Sequence, residues 1–255
     1  MDTTQHTVVT MAERPDLVSP AQALPSAAWP IFMMQDAIVE KRWMRIYERF
    51  PEYQFAMLET ETGRIVAMGN SVPIDWSGPA SDLPAGGIDW ILPAALDNSN
   101  PTTDSNRCQF ALQIVVDPGL HGRALSGKAV EAMLSIGKQH GCRSLFAPVR
   151  PNRKHLYPLT PMERYIRWTN DEGLPFDAWM RVHARLGASV VGVCAESMYI
   201  RGTISEWEDW TGLVFPESGP YIVPQALTPV QFDCDKNEGV YVEPNVWMEH
   251  RIRKD

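Results

Sequence analysis

Nothing in the 255 residues approaches the run of roughly 18 apolar residues that a membrane helix requires. Residues 1–11 also lack a basic stretch followed by an apolar one, so no export signal is indicated and a soluble, cytoplasmic protein is expected. Cysteine is scarce. Cys108, Cys142, Cys194 and Cys234 are scattered and form no Cys-x-x-Cys, which points away from a zinc ribbon or a disulfide scaffold and toward reduced, buried thiols. His140 and Cys142 are the nearest approach to a ligand pair, but they straddle an expected helix end, and no metal is expected. Positive charge is in deficit: 23 Lys and Arg stand against 31 Asp and Glu, a formal net charge of −8. Non-specific nucleic-acid binding depends on cations that neutralise phosphates, so this balance argues against it.

What is present fits an ordinary globular chain. With 44% hydrophobic and 21% charged residues, wholesale disorder, collagen-like repeats and coiled coil are excluded. The length corresponds to one large domain or two small ones; the reading adopted is a single domain over residues 1–255, with its core at about 36–200. Apolar residues at helical spacing predict an amphipathic helix over 35–51, ended by Pro51. Two strand-like runs, 53–59 and 64–72, flank a tight turn and predict an antiparallel hairpin. Residues 73–107 are rich in Pro, Gly, Asp, Asn and Ser, and read as a long functional loop interrupted by a short apolar segment, 87–92. A buried strand at 108–116 leads to a helix over 122–140 with Gly141 as its stop, then to a short strand at 142–149. A helix at 176–186, N-capped by Asp177 and stopped by Gly187, precedes a strand at 189–200. Residues 239–244 predict a last strand within a tail, 201–255, that reads as an extension.

The most informative stretch is Val115 to Gly127, VVDPGLHGRALSG. A buried strand passes through a Pro-Gly turn into a helix whose first turn carries only small residues. The N–H groups of such a turn are unpaired, and small side chains let a bulky anion approach the positive end of the helix dipole. A pyrophosphate cradle and an ordinary strand-to-helix connection are both consistent with this segment taken alone.

Element order adds to it. Helix, hairpin, buried strand, glycine-containing helix start, strand, helix ending Leu-Gly, then strand resembles the GCN5-related N-acetyltransferase superfamily. The resemblance is carried by Val116-Asp117-Pro118, by Gly122-Arg123-Ala124-Leu125-Ser126 in the place of the family's phosphate loop, by Asn152, and by His183-Ala184-Arg185-Leu186-Gly187-Ala188 in the place of its Tyr-x-x-Leu-Gly-Phe ending. It covers about residues 54–200. Two positions depart from the pattern. Gly119 stands where the family carries Arg or Gln, and His183 stands where many members carry the tyrosine that protonates the departing thiolate.

The resemblance implies an α/β fold with a central mixed sheet splayed between the strands that begin near Cys108 and Cys142. It implies acetyl-CoA or another acyl-CoA as donor and a small-molecule amine as acceptor, attacked directly. Ile114, Val115 and Val116 would hold the pantetheine arm. The amides of His121, Gly122, Arg123, Ala124, Leu125 and Ser126 would hold the pyrophosphate, with Arg123 and Lys128 as further charge partners. Asn152 would bond the coenzyme, and a strand amide beside Val116 would polarise the thioester oxygen. Related proteins take acyl groups from aminoacyl-tRNA or carrier proteins, and others bind acyl-CoA without catalysis; these stay open as alternatives.

An alkylamine, with a pKa of about 10.4, arrives as an ammonium, so a base is needed. Glu196, Asp89 and His183 are the candidates, and His183 is equally readable as a core histidine under Trp179. Asn152 and His183 stand much further apart than the resemblance implies, so residues 153–176 form an insertion expected over the acceptor side. With the 73–107 loop and the tail it is expected to roof the site. Asp89, Trp90, Tyr157, Arg164, Tyr165, Trp168 and Arg181 would then shape the acceptor pocket, or, in the case of the aromatics, simply pack the insertion. The acidic tail suits a cationic acceptor or serves as a solvated face. Its tryptophans Trp207, Trp210 and Trp247 are consistent with a homodimer interface or with a cap on the core.

Overall fold

The computed structural model describes residues 5–97, 106–120 and 124–252. After β1 (His6–Thr10) come two short helices, α1 (Val18–Ala21) and α2 (Ala23–Ala28), a 3-10 turn at Ile31–Gln35, and two more short helices, α3 (Ala37–Arg42) and α4 (Arg45–Arg49). The single helix expected over 35–51 is therefore two. The break lets Arg42 and Arg45 reach one carboxylate, Asp97, at 2.7 and 2.9 Å, so tertiary ion pairs override a continuous helical stripe. Asp36 opens α3, its Oδ1 accepting from the N–H groups of Ile38 and Val39 at 2.9 Å each.

The expected hairpin is β2 (Gln54–Glu59) and β3 (Ile65–Asp75). The expected loop at 73–107 starts inside β3 and contains α5 (Gly87–Leu96). Ile88, Ile91, Leu92 and Ala95 are buried at helical spacing, a stripe masked in the sequence by Gly86-Gly87 and by Pro93 inside the helix. Then follow β4 (Arg107–Val116), α6 (Leu125–Gln139), β5 (Ser144–Val149), α7 (Met162–Tyr165) and α8 (Ala178–Arg185). Gly141 and Gly187 stop α6 and α8 with φ of +70° and +85°, a conformation glycine adopts without penalty. The chain closes with β6 (Ser189–Gly202), α9 (Ile204–Thr211), β7 (Gly219–Tyr221), β8 (Val230–Asp233) and β9 (Glu238–Arg251).

The strands form one mixed sheet in the order β1-β2-β3-β4-β5-β9-β8-β7, with β6 on the other side of β9. β9 is the correction to the reading of the tail as an extension. It lies between β5 and β6, pairing antiparallel with both, so the tail supplies a central strand, longer than the expected 239–244. Side chains alternate between the two faces of the sheet. On β2, Ala56 and Leu58 join a core with α5 and the N-terminal helices, whereas Phe55 and Met57 join a core with α6, α7 and α8.

The parallel pair β4–β5 shapes the cavity described below. It is joined only at Gln109↔Leu145 and Phe110↔Phe146. Beyond Phe110, β4 continues to Val116 and β5 to Val149 without pairing, so the sheet opens into a wedge.

Candidate active site

The wedge holds a cavity of about 850 Å³. Its walls are Ala111 to Val116 of β4 on one side and Leu145 and Ala147 to Val149 of β5 on the other. Which β4 backbone groups face it follows from strand geometry. Asp117 donates its N–H to Val66 O at 2.9 Å, and N–H groups alternate in direction along a strand. Val115 therefore turns toward β3, opposite Met68, while Ile114 and Val116 turn their N–H and C=O groups into the wedge, where β5 does not meet them. A register shift between Asn70 and Ser71 leaves Leu112 as an extra residue, a β-bulge that bends β4 at the cavity wall.

One end of the cavity is the start of α6. Ala124 stands at the N-cap with φ +57° and no side-chain cap, and Ala124, Leu125 and Ser126 line the cavity. Left-handed backbone at a non-glycine residue costs of the order of 1–3 kcal/mol and tends to persist at functional sites. His121, Gly122 and Arg123 lie outside the described residues. Asn152 also lines the cavity, so the described residues from Ile114 to Val116, from Ala124 to Ser126 and Asn152 border one space, whereas Lys128, expected as a further charge partner, does not.

The roof corrects the sequence reading. It is made by Gln22, Trp29, Met33, Met34, Val39 and Trp43 from the N-terminal helices, with Ile88 of α5 beside them. Trp29 donates its indole N–H to Gln113 of β4 at 3.1 Å and lies 5.8 Å from the Arg150 guanidinium. Residues 153–176 form a brace instead. Tyr157, Tyr165, Trp168 and Phe176 pack edge-to-face or tilted against one another with ring centroids 5.0 to 6.2 Å apart, the packing alternative for these aromatics. Arg181 donates to the carbonyls of Pro175 and Phe176 at 2.7 and 2.9 Å, and Arg164 is exposed. The fully buried Lys154 ties the brace to the tail by donating to Tyr157 O and Leu227 O at 2.9 and 2.6 Å. None of Tyr157, Arg164, Trp168 and Arg181 borders the cavity. Nor does Trp90, which packs against Trp76 and Phe110.

The three expected bases fare no better. Glu196 is exposed and away from the cavity. His183 does border it, but it is buried, with Nδ1 2.9 Å from Nε2 of His250. Burial, helped by the second imidazole, pulls its pKa down to about 3. A pKa this low makes the ring a weak base, and its Nδ1 is taken up by His250, which counts against the expected proton-transfer role.

Asp89 lies beneath α3, accepting from Tyr199 N at 2.9 Å. Asp89 Oδ1 and Asp36 Oδ2 are both buried without a hydrogen-bond partner, and the Asp36 carboxyl is one of the groups that act on Asp89. Burial first, then the charge of Asp36, pushes the Asp89 pKa up to about 8. The folded protein thus holds a proton that the unfolded chain releases near pH 3.8, so this stability is complete at low pH and lost as pH rises through about 8. Asp89→Asn, which keeps a neutral group there, is expected to flatten the fall of melting temperature between about pH 4 and about pH 8. An unchanged pH profile would refute the raised titration of Asp89.

Sequence reasoning missed the polar end of the cavity. Arg150 follows β5 directly, and Glu243 and Asn245 project from β9. Arg150 donates its Nε to Glu243 Oε1 and Oε2 at 2.8 and 3.0 Å and its Nη2 to Gln225 O at 2.6 Å. Tyr241 donates its hydroxyl to Glu243 Oε2 at 2.9 Å. With its amide turned to suit its neighbours, Asn245 donates to Glu243 Oε1 at 3.2 Å and accepts from Ser197 at 2.8 Å. The available signals were weak: a charged residue two places before Asn152, and Glu-Pro-Asn inside the last strand. The roof helices are too short to show a period.

No model of a known protein family matches the chain. Its sequence is similar to the arginine N-acetyltransferase avaD of Aspergillus versicolor, 31% identical over 276 aligned positions that cover 97% of this chain and 94% of that protein. In three dimensions it resembles the loading GNATL domain of CurA from Lyngbya majuscula, with a TM-score of 0.58, 18% identity and coverage of 97% and 98% of the two chains. It also resembles the GphF GNAT-like decarboxylase in complex with isobutyryl-CoA, with a TM-score of 0.57, 16% identity and coverage of 98% and 100%. At these identities the structural likenesses speak for the fold alone.

Proposed function

Because the chain belongs to the GCN5-related N-acetyltransferase superfamily and is an N-acyltransferase, we propose that its donor is an acyl-CoA seated in the β4–β5 wedge and its acceptor a small cationic amine with the chemistry of arginine. The observation that carries this reading is the open seam itself. Two strand residues that β5 does not pair, Ile114 and Val116, face a cavity that is also bordered by the uncapped start of α6 and by Arg150.

The residues present suit such a donor. The amides of pantetheine complement the N–H and C=O groups of Ile114 and Val116 as a strand would, and the first-turn amides of α6 suit a pyrophosphate. Asn152 offers a further polar contact. When bound, the donor supplies an activated thioester carbonyl. The protein supports its reaction by directing a β4 amide at the carbonyl oxygen, where negative charge develops, and by covering the site with Trp29, Met33 and Trp43 to keep water from the thioester. The acceptor class rests on the named relative, which acts on arginine.

The test is CoA release from acetyl-CoA and isobutyryl-CoA in the presence of arginine, of a diamine lacking a guanidinium, and of a neutral amine. Release with arginine above the other two is expected, together with a rise in melting temperature on adding the donor alone. A donor at 100 times its Kd stabilises the native state by about 2.7 kcal/mol. A shift without release for any amine would mark a binding module, and absence of both would move the donor to aminoacyl-tRNA or a carrier protein.

A further inference from the structure

Across the sheet from α6, the cavity borders a positive charge. Side chains alternate along β9, so Tyr241, Glu243, Asn245 and Trp247 share one face. Tyr241 and Trp247 belong to the core covered by α5 and the N-terminal helices, whereas Leu125 and Ala129 of α6 belong to the core on the opposite face. The Arg150 guanidinium, which bonds Glu243 and lies 5.8 Å from the Trp29 ring, is therefore on the roof side. Among the described residues that border the cavity there is no other Arg or Lys. Building on the acyl-CoA and arginine reading, we propose that Arg150 binds the carboxylate of the acceptor, which is then an amino acid with a free carboxylate and not the corresponding decarboxylated amine.

The guanidinium keeps donors that nothing in the fold uses. Nε is taken by the two Glu243 oxygens and Nη2 reaches Gln225 O at 2.6 Å. Nη1 makes no hydrogen bond among the described residues, yet it is not a sealed atom, and 13% of the side chain stays accessible. The Tyr241 hydroxyl also acts on the guanidinium, but its proton goes to Glu243. Glu243 has no exposure of its own, so its part is to hold Arg150 in place. Trp29, fixed by its bond to Gln113 at 3.1 Å, limits the other side of the planar group. A guanidinium held in this way loses little freedom when a carboxylate docks on it.

The acceptor is the reactant that brings an anion to this side. In the acyl-CoA reading the pyrophosphate lies at the start of α6, on the opposite face, and the pantetheine arm and thioester are uncharged. A carboxylate entering a cavity walled by Trp29, Met33 and Trp43 leaves water behind and needs a charged donor in return. Nη1 supplies it.

The experiment measures kcat/KM of the wild-type protein for arginine, for arginine methyl ester, which keeps the bulk and loses the charge, and for agmatine, which lacks the carboxyl group. Arginine is expected to exceed both by about 10- to 150-fold, chiefly through KM. Arg150→Lys keeps a cation for Glu243 but has no second nitrogen to extend past it. In that variant the ratio of arginine to agmatine is expected to fall by about tenfold or more, while donor affinity read by calorimetry matches wild type. The wild-type series stands even where Arg150→Lys fails to fold. Equal kcat/KM for arginine and agmatine in the wild type, or a loss of donor affinity with an unchanged ratio in Arg150→Lys, would overturn the assignment. A protein that binds acetyl-CoA but releases CoA with none of the three would count against the arginine reading on which the proposal rests.

Discussion

Ile114→Pro is expected to leave a folded protein whose acyl transfer is lower by about 10²-fold or more. Proline removes a backbone N–H, and what that costs depends on where the N–H points. Beyond Phe110, β4 is paired on its β3 side only, so the Ile114 amide serves the cavity and not the ladder. Proline is tolerated in a strand at such edge positions. Val115→Pro is the control: that amide faces β3 at Met68, and the expected result is a loss of stability of about 3 kcal/mol or more. Melting curves and CoA release on the two variants separate the roles. Full turnover in a folded Ile114→Pro would show that the wedge-facing amide takes no part.

Asp177→Ala is expected to destabilise the protein by more than about 3 kcal/mol, well beyond the ~1 kcal/mol typical of a lost N-cap. The side chain is 1% exposed and accepts five hydrogen bonds. Oδ1 takes the amides of Trp179, Met180 and Asn152 at 3.0, 3.2 and 3.2 Å, and Oδ2 takes the amide of Arg153 and the hydroxyl of Tyr165 at 2.8 and 2.9 Å. One carboxylate thus starts α8, anchors the aromatic brace and fixes the backbone at Asn152. Removing it leaves several buried donors unsatisfied at once. Asp177→Asn, which keeps one carbonyl oxygen for the helix start, should lose less. Urea denaturation measures both; a loss below about 1 kcal/mol for the alanine variant would show that the three bonds beyond the helix cap contribute nothing net.

The elements that repeat a strong local pattern were legible in the sequence. The hairpin, the buried β4 strand, α6 and α8 with their glycine stops, and Asp177 as a cap each rest on contacts within a few residues. What was not legible depends on distant partners. The break between α3 and α4 is set by Asp97, some fifty residues away. α5 was hidden by its glycines and proline, and β9 by its position at the end of a tail although it sits at the centre of the sheet. The site divides along the same line. Residues expected to hold the coenzyme follow from a strand and the helix after it, and they border the cavity. Those expected to shape the acceptor pocket were chosen by nearness in sequence, and Asp89, Trp90, Tyr157, Arg164, Trp168 and Arg181 all lie away from the cavity, because the N-terminal helices occupy the roof.

Residue-resolved amide hydrogen exchange at Ile114 and Val116, with and without acetyl-CoA, tests the role of the wedge most directly. In the free protein these two amides have no strand partner, so they should exchange faster than Val115, and saturation with acetyl-CoA should slow both while leaving Val115 as it was. Acetyl-CoA that protects amides elsewhere and leaves Ile114 and Val116 unchanged would contradict a donor seated between β4 and β5.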